Sequence, residues 1–333
     1  MEFNMKDAVN ILVLVECEQG LPSSVSLEVL GLARRLCDKL ESNVVALALG
    51  NGLEKVGESL LTYGADQVYM VDAPIFTSYQ ADAWLPDVLN IIESNMPGVI
   101  LLGHTTTGAD LAPRIAFRLS TSVAMSCIDI RQQENKFTFT RPCYGGKAHE
   151  VSTFHSTQAV ATIQPKTQDP ISPNPKRKGP IICVKSVLDP KKVRTKIVKQ
   201  VVEENNVDAL VNAEIVVAGG GGMKGPEGFR LAHELASTLG GAVGASRVAC
   251  DLGWCPASYQ IGLSGQKVAP RIYFAIGISG TMQHIAGCSN SKVIIAINTD
   301  PDAPMFKVAK FGIIGDCHQV LTALTKAIKN IKS

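Results

Sequence analysis

The chain has 333 residues, of which 46% are hydrophobic and 19% charged, with a formal net charge of +2. That length favours two domains of roughly 150 residues each, with enough apolar residues for sizeable cores. The near-neutral balance argues against a strong field for nucleic acid or membranes, and an aromatic content of 5% argues against a base-stacking platform.

Nine cysteines are scattered along the chain without a CxxC pair. A disulfide framework, a zinc site and iron–sulfur ligation all fit that spacing poorly. Reduced thiols in a cytoplasmic protein with no metal are the expectation. The start lacks the basic flank and cleavage site of a signal peptide. No apolar run approaches the ~18 residues that span a bilayer, so no membrane insertion is expected.

The first elements alternate. Residues 10–16 read as a strand, 24–40 as a helix and 44–49 as a buried strand. A helix-like stretch leads to a strand at 67–71, a helix around 79–94 and a strand at 98–102. Strands alternating with helices imply a mostly parallel sheet covered on both faces. Residues 122–163 hold short alternating runs and predict antiparallel strands appended to that sheet. Residues 164–180 contain five prolines and read as a loop or linker. Residues 181–205 predict a further strand and a basic helix. These segments make up a first domain, 1–205, and a second domain, 206–333.

The second domain predicts a doubly wound α/β fold with its own parallel sheet. A strand at 214–218 meets the glycine run 219–222, and a helix follows at 226–239 with Pro226 at its start. Further strands are predicted at 242–245, 272–278, 293–297 and 312–314, with a last helix at 317–330.

In a parallel sheet, ligands collect beyond the carboxyl ends of the strands. Gly220, Gly222 and Gly225 match G-x-G-x-x-G, which suits a pyrophosphate or simply a tight turn. Ser246 and Arg247 follow the next strand; the arginine supplies charge to a ligand or pairs with Asp251. The run Ser279-Gly280-Thr281-Met282-Gln283-His284 offers hydroxyls and amides at a helix start. Asn298 and Asp316 end the last two strands, where they fit ribose hydroxyls or serve as turn and cap residues. The loop 260–266 presents Ser264 between glycines, to a flat ring or merely to solvent. No GxSxG, HExxH or P-loop motif occurs, and no carboxylate pair marks a catalytic acid and base. No catalytic residue is therefore assigned.

The run GGAVGASRVACDLGW…QIGLSGQKVAPRIYFAIGISGTMQHIAG…KVIIAINTDPDAPMFKVAKFGIIGD closely resembles the alpha subunit of electron transfer flavoproteins. GADQVYMVD, GHTTTGADLAPRIAFRL and TRPCYGG carry the resemblance more loosely through the first domain. The resemblance implies FAD as cofactor and a heterodimer with an electron transfer flavoprotein beta subunit. It implies contacts to FAD from Gly221, Ser246, Arg247, Ile261, Gly262, Leu263, Ser264, Ser279, Gly280, Thr281, Met282, Gln283, His284, Asn298, Asp316 and Cys317. Ser264 would reach flavin N5, and His284 the flavin O2 edge. Arg247 and His284 would stabilise negative charge on the ring, while the cofactor does the redox chemistry.

Three positions depart from the family's usual residues. Gly221 stands where an arginine is common, Leu263 where glutamine is, and Gln266 where lysine is. The expectation is a shifted flavin potential or weaker binding. The function implied is an electron carrier serving an acyl-CoA dehydrogenase or related flavoenzyme. A subunit of an electron-bifurcating or acyl-CoA reductase complex is the sharper variant. An NAD-dependent oxidoreductase and a flavin-less binding module are the readings from other classes.

Overall fold

A computed structural model of the chain describes residues 9–133, 136–146, 148–195, 197–199 and 207–332. The chain forms two units, residues 1–200 and 201–333. The expected boundary at 205/206 lies outside the described residues.

The first unit runs β1 (Ile11–Val15), β2 (Cys17–Glu18), β3 (Leu21–Pro22), α1 (Ser24–Leu40), β4 (Val44–Gly50), α2 (Val56–Thr62), β5 (Gln67–Asp72), α3 (Ala81–Asn95) and β6 (Val99–Gly103). It continues with α4 (Thr106–Arg118), β7 (Val123–Cys127), β8 (Asp129–Gln133), β9 (Lys136–Cys143), β10 (Ala148–Thr153), β11 (Ala159–Ile163) and β12 (Ile181–Cys183). Seven strands form one sheet in the order β12-β5-β4-β1-β6-β11-β7, every pairing parallel. Side chains alternate across a strand, and β1 shows it. Ile11, Val13 and Val15 enter the core with α1, whereas Leu12 and Leu14 enter the core with α3 and α4. Helix α1 starts at Ser23, whose side chain accepts from the Ser26 amide at 3.2 Å.

Residues 122–163 correct the sequence reading in part. Only β8, β9 and β10 form an antiparallel sheet. β7 and β11 join the parallel sheet, with β11 inserted between β6 and β7. All five residues of β11, AVATI, are buried, which suits a central strand rather than an appended edge. The antiparallel excursion takes the place of a crossover helix.

The proline-rich segment 164–180 straps the first unit instead of leading out of it. Arg35 donates to the Asp169 carbonyl and to Gln168 Oε1, each at 2.7 Å. The Val68 amide donates to the Pro180 carbonyl at 3.0 Å, delivering the chain to β12 on the far edge. The basic helix expected after it is not formed at 193–195 or 197–199, which are irregular. The rest of that expected helix reaches beyond the described residues.

The second unit runs α5 (Val207–Asn212), β13 (Ile215–Gly219), α6 (Pro226–Leu239), β14 (Ala242–Ala245), α7 (Arg247–Asp251), β15 (Ile272–Ile276), α8 (Met282–Cys288), β16 (Val293–Asn298), β17 (Phe311–Ile314) and α9 (Cys317–Lys332). Five parallel strands lie in the order β14-β13-β15-β16-β17. The chain turns to one side from β13 to β14 and to the other at β15, so the topological switch lies between β13 and β15. Phe274 and Ile276 of β15 pack with α6 and α9, while Tyr273 and Ala275 pack with α5 and α8. This is the doubly wound α/β fold expected.

Candidate functional site

Beyond the carboxyl ends of β13 to β16, a cavity of about 640 Å³ opens in the second unit. Five chain segments wall it, four of them following a strand end and one a loop at 260–264.

The first segment is the glycine turn after β13. The Gly222 amide donates to the Gly277 carbonyl at 2.9 Å, and the Gly220 amide to the Ile276 carbonyl at 2.8 Å. Gly220 and Gly222 thus serve the close passage of two backbones, while Gly221 and Gly222 line the cavity. The tight-turn reading of the G-x-G-x-x-G run is realised in this geometry.

The second segment follows β14. Ser246 is buried, and its side chain makes no capping bond to α7. Arg247 lines the cavity with its side chain 73% exposed, and its Nε lies 3.3 Å from Asp251 Oδ2. The ion-pair reading of Arg247 is realised in this geometry, at the cavity wall. Val248, beside it, exposes an apolar surface to the same space.

The third segment is the loop holding Ile261, Gly262, Leu263 and Ser264. The Leu263 amide donates to the Gln283 carbonyl at 2.7 Å, which ties the loop to α8. Gln260 Nε2 donates to Ser264 Oγ at 2.9 Å. The Ser264 hydroxyl proton is thereby left to donate elsewhere.

The fourth segment runs from β15 into α8. Ser279, Thr281, Gln283 and His284 line the cavity. Thr281 spends no side-chain bond on capping α8. His284 is 5% exposed, and its Nε2 lies 2.8 Å from the Tyr273 hydroxyl. Burial pushes the His284 pKa down to about 4, against a weak opposing effect of the nearby Ile261 carbonyl. Its Nδ1 makes no hydrogen bond of ordinary geometry. Near pH 7 this burial favours the neutral imidazole.

Asn298 lines the cavity at the end of β16. It also donates to the Ile278 carbonyl at 3.1 Å and accepts from the Asp300 amide at 3.1 Å, so it shapes the turn it sits on.

Four expected residues stand apart from the cavity lining. Gly280 packs against Met305, where a Cβ would come within 2.3 Å of the Met305 amide nitrogen. Met282 is on α8 and 38% exposed. Asp316 accepts from the His318 amide at 2.9 Å at the start of α9, and its Oδ2 lies 3.7 Å from Lys224 Nζ. Cys317 is buried, with Sγ 3.4 Å from the Gly222 carbonyl. Asp316 and Cys317 thus hold the glycine turn without lining the cavity. With His318 they place three potential metal-ligand atoms within 4.8 Å, although Asp316 already serves the helix start and Lys224.

Sequence reading missed Val248, Gln260, Gly277, Ile278 and Asp300 as lining residues, and left Gly222 between a phosphate contact and a tight turn. Their only signal is adjacency to assigned positions at the same strand ends.

The lining suits a flavin nucleotide. It combines apolar side chains (Val248, Ile261, Leu263, Ile278) with hydroxyls, a glycine turn that admits close backbone approach, and one arginine. The lining contains one carboxylate, Asp300, and no cysteine.

Comparison with known proteins agrees. Residues 11–187 match the family model described as electron transfer flavoprotein domain, and residues 209–289 match the electron transfer flavoprotein FAD-binding domain. The electron transfer flavoprotein subunit alpha of Thermoanaerobacterium thermosaccharolyticum is 39% identical over 330 residues, covering 98% of this chain and 100% of that protein. The subunit alpha of Bacillus subtilis is 38% identical, over 96% of this chain and 98% of the relative. Protein FixB of Clostridium saccharobutylicum is 37% identical, over 99% of each. The chain therefore belongs to the electron transfer flavoprotein alpha-subunit family, and its carboxyl-terminal unit is an FAD-binding domain of that family.

Proposed function

We propose that this chain pairs with an electron transfer flavoprotein beta subunit and carries electrons between an acyl-CoA dehydrogenase-type flavoenzyme and a redox partner. One observation carries the reading. Ser246, Arg247, Ser264, Ser279, His284 and Asn298, from three strand ends and one loop, line one cavity that has no nucleophilic cysteine and no carboxylate pair.

Bound FAD supplies the redox chemistry. The chain's own residues hold and tune it. The glycine turn and the hydroxyls of Ser279 and Thr281 take the phosphates. Asn298 takes the ribose side. Ser264, with its proton free to donate, meets the flavin ring. Arg247 places a positive charge at the cavity mouth and favours the reduced, more negative ring. His284 contributes a neutral wall. Val248 and Leu263 keep water from the ring edge.

Co-expression with the beta subunit, followed by extraction and identification of bound cofactor, tests the proposal. FAD on this chain is the expected result. Colourless protein retaining NAD would overturn it. Two FADs per heterodimer would instead favour the bifurcating variant.

A further inference from the structure

We infer that Tyr273 is a positioning residue for His284: its hydroxyl donates to Nε2 and so fixes the imidazole as the tautomer protonated on Nδ1, in the wall of the cavity. The consequence for flavin rests on the FAD reading; the tautomer rests on this chain's geometry alone.

Three buried side chains meet on the face of β15 that packs on α8. Tyr273 and Cys288 have no exposed surface, and His284 is 5% exposed. Strand alternation sends Tyr273 to this face while Phe274 goes to the other. The Tyr273 hydroxyl lies 2.8 Å from His284 Nε2. Water does not reach this group to complete its bonding, so each proton must be placed within it.

Tyr273 has one proton to give. Burial keeps its phenol protonated, with a pKa well above the usual value. Its polar neighbours are His284 Nε2 and the Cys288 thiol. Sulfur is the weak acceptor of the two. Cys288 Sγ also sends its own proton to the His284 carbonyl, 3.7 Å away. The Tyr273 proton therefore goes to Nε2, and the imidazole proton goes to Nδ1. The opposite tautomer would leave the Tyr273 proton to a sulfur, which disfavours it.

The charged groups that share the cavity with His284 are Arg247 from α7 and Asp300 from the turn after β16, both exposed. Neither replaces the Tyr273 bond at Nε2. A flavin in this cavity thus meets His284 as a neutral imidazole, with Nε2 held by Tyr273 and Nδ1 buried in the protein. Arg247 is left as the one positive side chain in the lining.

The test uses the full heterodimer labelled with 15N-histidine. His284→Gln identifies the His284 signals. In the wild-type protein at neutral pH, Nε2 is expected at the shift of an unprotonated imidazole nitrogen and Nδ1 at that of a protonated one. Tyr273→Phe removes the donor and is expected to give mixed tautomers, together with a changed flavin midpoint potential. A protonated Nε2 in the wild-type spectrum overturns the inference without reference to any variant. So does a Tyr273→Phe protein with unchanged nitrogen shifts. Flavin absorbance on the same sample keeps the two readings apart: a colourless sample sinks the FAD proposal, while the nitrogen shifts still decide the tautomer.

Discussion

Gly220 and Gly277 cross backbone to backbone at the switch point of the second sheet, and a Cβ on Gly220 would sit 2.3 Å from the Gly277 carbonyl oxygen. Nothing flexible can give way there. Gly220→Ala should destabilise the second unit by about 2 kcal/mol or more, since backbone must shift on both sides. Flavin retention should fall with it. Denaturant unfolding of the variant, read beside its flavin content, checks both. Wild-type stability with wild-type flavin content would show that the two turns are less tightly fitted than described.

Its neighbour behaves oppositely. A Cβ on Gly221 would meet only Val248, at 3.5 Å. Gly221→Arg restores the residue that the family resemblance led one to expect. A side chain there enters the cavity with a positive charge, so a higher flavin potential and slower flavin loss are expected. Redox titration and dialysis measure these. A lower potential would mean that the new charge does not act on the ring.

Arg247 separates structure from electrostatics. Its pair with Asp251 is exposed at both ends, with side chains 73% and 64% exposed. Such pairs contribute little to stability. Arg247→Gln should leave the urea midpoint nearly unchanged. The flavin potential should drop by on the order of 40 mV, which matches about 1 kcal/mol of charge interaction near a surface. Unchanged potential with reduced stability would make Arg247 a structural residue only.

His284 ties stability to pH. Its folded pKa lies at about 4, below the ordinary 6.5, because burial disfavours the charged form. Between those values the unfolded chain binds the proton and the folded chain does not, so stability rises with pH in that window. The contribution is complete above pH ~6.5 and is lost as pH falls toward 4, by on the order of 3 kcal/mol. Urea unfolding of wild type and His284→Gln between about pH 4.5 and 7 measures it. The variant should show a shallower pH dependence. Equal slopes would place the wild-type histidine in contact with solvent.

Much of this was legible in the sequence, and the exceptions share a cause. Strands and helices of the second unit follow from apolar runs ending in glycine, serine or asparagine, as at Gly219 and Asn298. Asp316 looked equivalent because it too follows a strand. β17 is the edge strand, however, two places from β15, so its end supports the glycine turn from outside the cavity. Spacing along a chain does not reveal how far a strand lies from the switch point. The strands β7 and β11 were misassigned because five-residue apolar runs fit either sheet type until their partners are known. The neutrality of His284 depends on burial against Tyr273, which no local motif encodes.

Hydrogen exchange of the chain co-expressed with the proposed beta subunit, with and without FAD, tests the central claim most directly. The prediction is slowed exchange on FAD addition in residues 246–248, 261–264 and 279–284, together with the glycine turn at 220–222. Protection confined to other segments, with these four unchanged, would contradict the account.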